Sequence, residues 1–171
     1  MTRVYFPATL DELAELRALG EIPAGRRAHA VTPALREWYA GSDTDELENA
    51  AFLDAERRSL RRLAAQPQSR RLRVVLSADV PDSAVRPDGG QQDEDRAVVL
   101  VQVSVPLAAV ASIHADEPDA EPDVVAALEA LARLDAGDDD AQFVVDGAEG
   151  HDLLWFDVTE LDDVLALRGS D

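Results

Sequence analysis

Hydrophobic and polar positions follow two periods along this chain. Val4-Tyr5-Phe6 is a short apolar run closed by Pro7 and reads as a strand. Thr9-Leu10-Asp11-Glu12 then spells a capping box, in which the Thr9 hydroxyl takes the third helical amide and Glu12 reaches back to the Thr9 amide. Leu10, Leu13 and Leu16, with Ala14, form the apolar stripe of that helix. Gly20 is placed to end it and Pro23 blocks continuation. Residues 28–31 predict a second short strand. Thr32 and Pro33 are cap and first-turn residues of a helix carrying Leu35, Trp38 and Tyr39, ended by Gly41. A longer helix is predicted over 45–65, with Pro67 as its stop.

Residues 71–80 switch to a period of two. Leu72, Val74, Leu76, Ala78 and Val80 face one way and Arg71, Arg73, Ser77 and Asp79 the other, which predicts a sheet half exposed at this strand. Residues 82–95 read as a flexible acidic loop, and 97–105 as the returning strand of an antiparallel hairpin, with Val99, Val101, Val103 and Val105 on one face. A helical turn at 106–110 and a strand at 112–114 follow. Val124, Val125, Leu128, Leu131 and Leu134 mark an amphipathic helix, and Asp138-Asp139-Asp140 a solvated stop. Phe143-Val144-Val145 and Leu153-Leu154-Trp155-Phe156 read as strands, and Thr159 as the cap of a final helix. The sum is one α+β domain over residues 1–171: a mixed β-sheet with one clear antiparallel hairpin, backed by helices. A strictly alternating parallel sheet is the runner-up.

Charge adds a division that periodicity does not show. The formal net charge is −19, and all sixteen basic residues are arginine. Residues 1–73 hold 12 Arg against 11 acids, and residues 74–171 hold 4 Arg against 24 acids. The acidic half repels DNA and anionic membrane, and the near-neutral half can complement it internally. With no cysteine, the chain has no disulfide scaffold, thiolate zinc site, iron–sulfur cluster or cysteine nucleophile. The start of the chain shows no signal peptide, and no apolar run is long enough for a spanning helix. A cytoplasmic domain is the expectation.

Three segments carry a resemblance: Val4-Tyr5-Phe6-Pro7-Ala8-Thr9-Leu10; Ala30-Val31-Thr32-Pro33-Ala34-Leu35-Arg36-Glu37-Trp38-Tyr39; and His151-Asp152-Leu153-Leu154-Trp155-Phe156-Asp157-Val158-Thr159-Glu160-Leu161. Over essentially its full length the chain resembles an uncharacterised actinobacterial family, DUF6912. The resemblance implies a GC-rich actinobacterial source and carries no activity or catalytic residue.

The sharpest local chemistry is a helical arginine face. At 100° per residue, Arg57, Arg58, Arg61 and Arg62 fall within about 140° of arc, and Arg70, Arg71 and Arg73 follow closely. Such a face suits a protein partner, an anion or RNA phosphate, or is simply solvated and balanced by the acidic half. No aromatics interleave the arginines for base stacking. The alternative site is histidine and carboxylate: His29, His114 and His151, with Asp116 on the strand face of His114 if that strand extends so far. No helical metal-ligand pair, glycine-rich phosphate loop or G-x-S-x-G elbow is present, so no cofactor or metal is implied. Trp38-Tyr39 and Trp155-Phe156 each send one ring toward the core and the other to a rim. The preferred expectation is a non-catalytic domain that binds a partner protein or its own copy.

Overall fold

The computed structural model describes residues 1–90, 92 and 95–169, and β1 (Thr2–Ala8) is the spine of its sheet. Next in chain order come α1 (Leu10–Leu19), β2 (Glu21–Ile22), β3 (Arg26–His29), α2 (Pro33–Trp38), α3 (Thr44–Ala65) and β4 (Val74–Val80). β5 (Val85–Pro87), β6 (Val98–Val101), β7 (Val105–Pro106), β8 (Val110–Ala115) and α4 (Glu121–Asp135) follow. α5 (Gln142–Gly147), β9 (Leu154–Phe156) and α6 (Leu161–Ala166) complete the chain. Seven strands form one sheet in the order β5-β6-β3-β1-β4-β8-β9, and β2 pairs with β7 alone.

The α+β class holds, with helices backing a sheet. Every described strand pair is antiparallel, so among the described residues the sheet is antiparallel and not mixed, and the strictly alternating parallel alternative is excluded. The hairpin lies one strand away from its expected place. β4 is flanked by β1 and β8, while β6 pairs with β5 across residues 88–97 and with β3 on its other side. Within the expected loop over 82–95, residues 82–84 form a 3-10 turn and 85–87 form β5. Residues 91, 93 and 94 of that loop lie outside the described set.

The period of two in β1 sorts the helices into two layers. Val4, Phe6 and Ala8 pack with Leu10, Leu13 and Leu16 of α1 and Val164 of α6 on one face. Tyr5 and Val75 pack with Leu35 of α2 and Leu47, Ala51 and Ala55 of α3 on the other. The far end of α3, through Leu60 and Leu63, builds a third cluster with Val124, Ala127 and Leu131 of α4 and Val145 of α5. Both sheet faces are therefore covered, and this corrects the half-exposed reading of β4. Arg73, Val75 and Ser77 are buried, and Asp79 alone on that face of the strand is exposed. Pro7 sits in the central strand without an amide to donate. The β1–β3 pairing is confined to Tyr5 and His29, and the Arg26 guanidinium reaches the Pro7 carbonyl at 3.4 Å.

Capping explains where the helices begin. Thr9 and Glu12 make both bonds of the expected box, and Gly20 ends α1 at φ 80°, a left-handed value that favours glycine. Thr32 caps α2, and Asp43 with Glu46 forms a second box at the start of α3. Two local readings are overturned. Phe143-Val144-Val145 lies in α5, not in a strand, because docking on α4 overrides its β-propensity. Asp157, not Thr159, is the cap before α6: its carboxylate accepts from the Thr159 amide while Glu160 reaches back to the Asp157 amide.

Candidate functional site

The arginine face of α3 is built into the fold as a set of staples. Arg57 Nε donates to Glu149 at 2.6 Å and its Nη1 to Asp54 at 3.0 Å, and the Glu149 hydrogen bond raises its pKa. Arg61 Nη1 bonds both oxygens of Asp135, at 2.8 and 2.6 Å. Arg62 grips Glu12 through Nε and Nη2, tying α3 to the first turn of α1. Arg58 differs: its carboxylate partner, Asp95, is 3.6 Å away, beyond hydrogen-bond distance. Arg71 donates to the carbonyls of Leu63, Gln66 and Pro67, which caps the C-terminus of α3. The acidic half supplies Glu149, Asp135 and Asp95, so the two halves complement each other within one molecule.

Glu12 links cap and staple. Burial alone would raise its carboxyl, but Arg62, Gln66 and Arg26 outweigh burial and hold it below the ordinary value. Glu12→Ala removes the reciprocal cap and strands Arg62, so a stability loss of about 2 kcal/mol is expected. Urea unfolding measures it, and a midpoint equal to wild type would refute this account of α1.

A buried charge cluster lies where β4 and β8 begin and end. Asp116 is 0% exposed and accepts from the Arg73 amide at 2.7 Å, Nε at 2.9 Å and Nη2 at 2.8 Å. Arg73 Nη2 also donates to the His151 carbonyl at 2.9 Å. Glu56 of α3 is 4% exposed, with its Oε2 at 3.8 Å from Arg73 Nη1. Burial pushes the Glu56 carboxyl up to about 7, against the pull of Arg73, and Asp116 and Glu149 add to the rise. Arg73 gives its hydrogen bonds to Asp116 and attracts Glu56 through charge alone, and that attraction does not outweigh burial. A cavity of about 70 Å³ opens beside Glu56, bounded by Arg57, Arg73, Gln142 and Glu149 and by apolar residues of α4 and α5. Sequence reasoning singled out Arg73 and Asp116 on opposing hypotheses and missed Glu56, which no local pattern separates from the other acids of α3.

The three histidines have separate settings. His29 is buried in β3 opposite Tyr5, its Nδ1 has no hydrogen-bond partner, and burial pushes its pKa down to about 4. His114 Nε2 lies 2.9 Å from Ser112 Oγ and 3.2 Å from Ser77 Oγ, with Phe52 edge-on to its ring; burial lowers it to about 4. His151 Nε2 meets Asp123 at 2.5 Å. His114 and Asp116 do not act together, because β8 ends at Ala115 and the Asp116 carboxylate turns to Arg73. Among the described residues, no group of three His, Asp or Glu side chains is placed to hold a metal ion. Nor, among them, is any helix long and apolar enough to cross a membrane.

Aromatic rings supply what the charges do not. Trp38 and Tyr39 are both exposed, which corrects the expected core–rim split of that pair, and the Arg96 guanidinium stacks 3.7 Å from the Trp38 ring centroid. Trp155 is 61% exposed and Leu154 44%, and Phe156 is partly buried against the α1 side of the sheet.

These features define an α+β domain with a seven-stranded antiparallel sheet between helical layers, fastened by internal ion pairs. The chain belongs to a family of unknown function, DUF6912, whose model matches residues 2–165. No curated protein and no solved structure matches the chain.

Proposed function

We propose that this is a non-catalytic binding domain that takes an extended, basic segment of a partner protein along β9. The observation that carries this reading is the edge itself. β9 ends the seven-stranded sheet, pairs with β8 on one side, and presents Leu154 and Trp155 to solvent. An open edge with apolar side chains is the usual template for strand addition, in which main-chain hydrogen bonds give affinity and alternate side chains give selectivity. The surrounding charge selects the occupant. Residues 138–163 hold ten Asp or Glu and no Arg, so a basic segment is attracted and a second copy of this acidic edge is repelled. This reading places the domain in the cytoplasm of an actinobacterium, with no DNA or membrane as partner.

A second reading is an enzyme, and its best support is Glu56, which lies in α3 and not among the histidines and carboxylates at strand ends. The cavity beside it, about 70 Å³, is well below the roughly 300 Å³ of an ordinary ligand site, so binding is the stronger reading.

The test is a fluorescence titration, in a Trp38→Phe background, with a synthetic peptide alternating Arg and Val. Saturable change at Trp155 is expected, with affinity falling about tenfold on Leu154→Ala and with added salt. No change at any peptide concentration would refute the reading. A concentration-dependent dimer lost on Trp155→Ala would replace it with self-association.

A further inference from the structure

Between β3, α3 and the β5–β6 connection lies a second cavity, of about 280 Å³, with polar walls. We propose that it is an anion site for a small phosphorylated molecule, whose arginines are met in the free protein by two carboxylates, Asp88 and Asp95, standing in for the phosphate. It is independent of the β9 edge.

Three guanidinium groups converge there: Arg27 from β3, and Arg58 and Arg62 from α3. Arg58 and Arg62 are four residues apart, so their side chains lie next to each other on the helix. Asp88 and Asp95, both from the β5–β6 connection, face them. Asp88 takes Arg27 Nε at 2.7 Å, and Asp95 approaches Arg58 Nη2 only to 3.6 Å. Arg62 spends Nε and Nη2 on Glu12, leaving Nη1 for a ligand. Arg58 is thus the cation with the least complete partner, at a distance where charge attraction operates without a hydrogen bond. His29 also lines this cavity, and its Nδ1 is buried without a partner, a costly state that a ligand contact would relieve.

A Cβ on Gly89 would come within 1.7 Å of the Asp95 carbonyl oxygen, so the chain crosses itself there with room only for glycine. That crossing brings Asp88 and Asp95 to the cavity together. A phosphate suits the lining better than a single carboxylate. Its several acceptor oxygens can meet two guanidinium groups side by side and an imidazole at once.

The design makes opposite predictions for two exposed residues. Asp95→Asn removes the competing carboxylate and should tighten binding about tenfold, whereas Arg58→Gln should weaken it about tenfold or more. Arg58 is 41% exposed with one distant partner, so its loss leaves the fold intact, which thermal unfolding of the variant checks. The experiment is a titration of the full chain with inorganic pyrophosphate, then with inorganic phosphate, in low-chloride buffer, followed by amide and imidazole NMR shifts. Saturable shifts at His29, Gly89 and Gly90, ordered Asp95→Asn tighter than wild type and wild type tighter than Arg58→Gln, support the site. Failure of both probes to shift these residues in wild type and in Asp95→Asn overturns it. So does binding that Arg58→Gln leaves unchanged, or a uniform drift of all arginine signals, which marks simple screening.

Discussion

Asp116→Ala is expected to cost about 3–5 kcal/mol, a large share of the roughly 5–15 kcal/mol that holds an ordinary domain. The carboxylate is fully buried and takes three hydrogen bonds from Arg73, one main-chain and two guanidinium. Removing it leaves a guanidinium 1% exposed, with the His151 carbonyl at 2.9 Å and Glu56 at 3.8 Å as the remaining contacts. A buried charge without its partner keeps its full desolvation cost, and that asymmetry makes the loss large. Asp116→Asn keeps an acceptor and loses the charge, so it should fall between wild type and alanine. The exposed staple Arg61–Asp135 gives the contrast. Arg61→Ala should cost less than about 1 kcal/mol, because solvent and salt already screen that pair. Urea unfolding of the four proteins decides the matter. A loss below about 1 kcal/mol for Asp116→Ala would mean that the cluster does not hold β4 to β8.

Elements whose signals are local could be read from the sequence. Thr9 with Glu12 and Thr32 with Pro33 each fix the start of a helix through bonds made within a few residues, and Pro67 marks the stop of the long helix over 45–65. Strand order is set by contacts far apart in sequence, and there the reading failed. Residues 71–80 and 97–105 read as the two strands of one hairpin. Yet β8, which begins thirty residues after β4 ends, takes the place beside it, with Ser77 opposite Ser112. The polar face of β4 was misread for the same reason. Arg73 and Ser77 are hydrophilic by type, and they become core residues only because Asp116, Ser112 and His114 arrive from elsewhere to satisfy them. At Asp157 the opposite error occurred. The Asp-x-x-Glu pattern at 157–160 is local, yet Thr159 alone is read as the cap. For the candidate site, the arginine face was visible as a periodicity, and the charge division hinted that its partners were internal. Nothing in the sequence marked Glu56 as buried, since burial of one acid on a polar helix depends on where α4 and α5 dock.

Glu56→Gln is expected to stabilise the protein at neutral and higher pH and to do nothing in acid. In the folded chain the carboxyl is pushed from 4.5 up to about 7, chiefly by burial. A group raised on folding contributes stability that is complete below its unfolded value and is lost as pH rises through its folded value. The fold therefore loses about 3 kcal/mol between roughly pH 4.5 and pH 7.5 as Glu56 ionises. Glutamine mimics the protonated carboxyl and cannot ionise, so the variant should gain that amount at about pH 8 and match wild type near pH 4. The buried imidazoles work in the other direction. His29 and His114, lowered to about 4, contribute stability that is complete above their ordinary 6.5 and is lost as pH falls through about 4. Wild type should thus lose stability on the acid side through the histidines and on the neutral side through Glu56. Comparing wild type with Glu56→Gln by urea unfolding at several pH values cancels the histidine contribution and isolates the carboxyl. If the two curves stay parallel across the whole range, Glu56 titrates alike in the folded and unfolded chain, and Arg73 offsets its burial. If instead Glu56→Gln weakens the fold above about pH 4.5 and matches wild type in stronger acid, Glu56 is ionised and paired, and the cluster is a three-membered ion network.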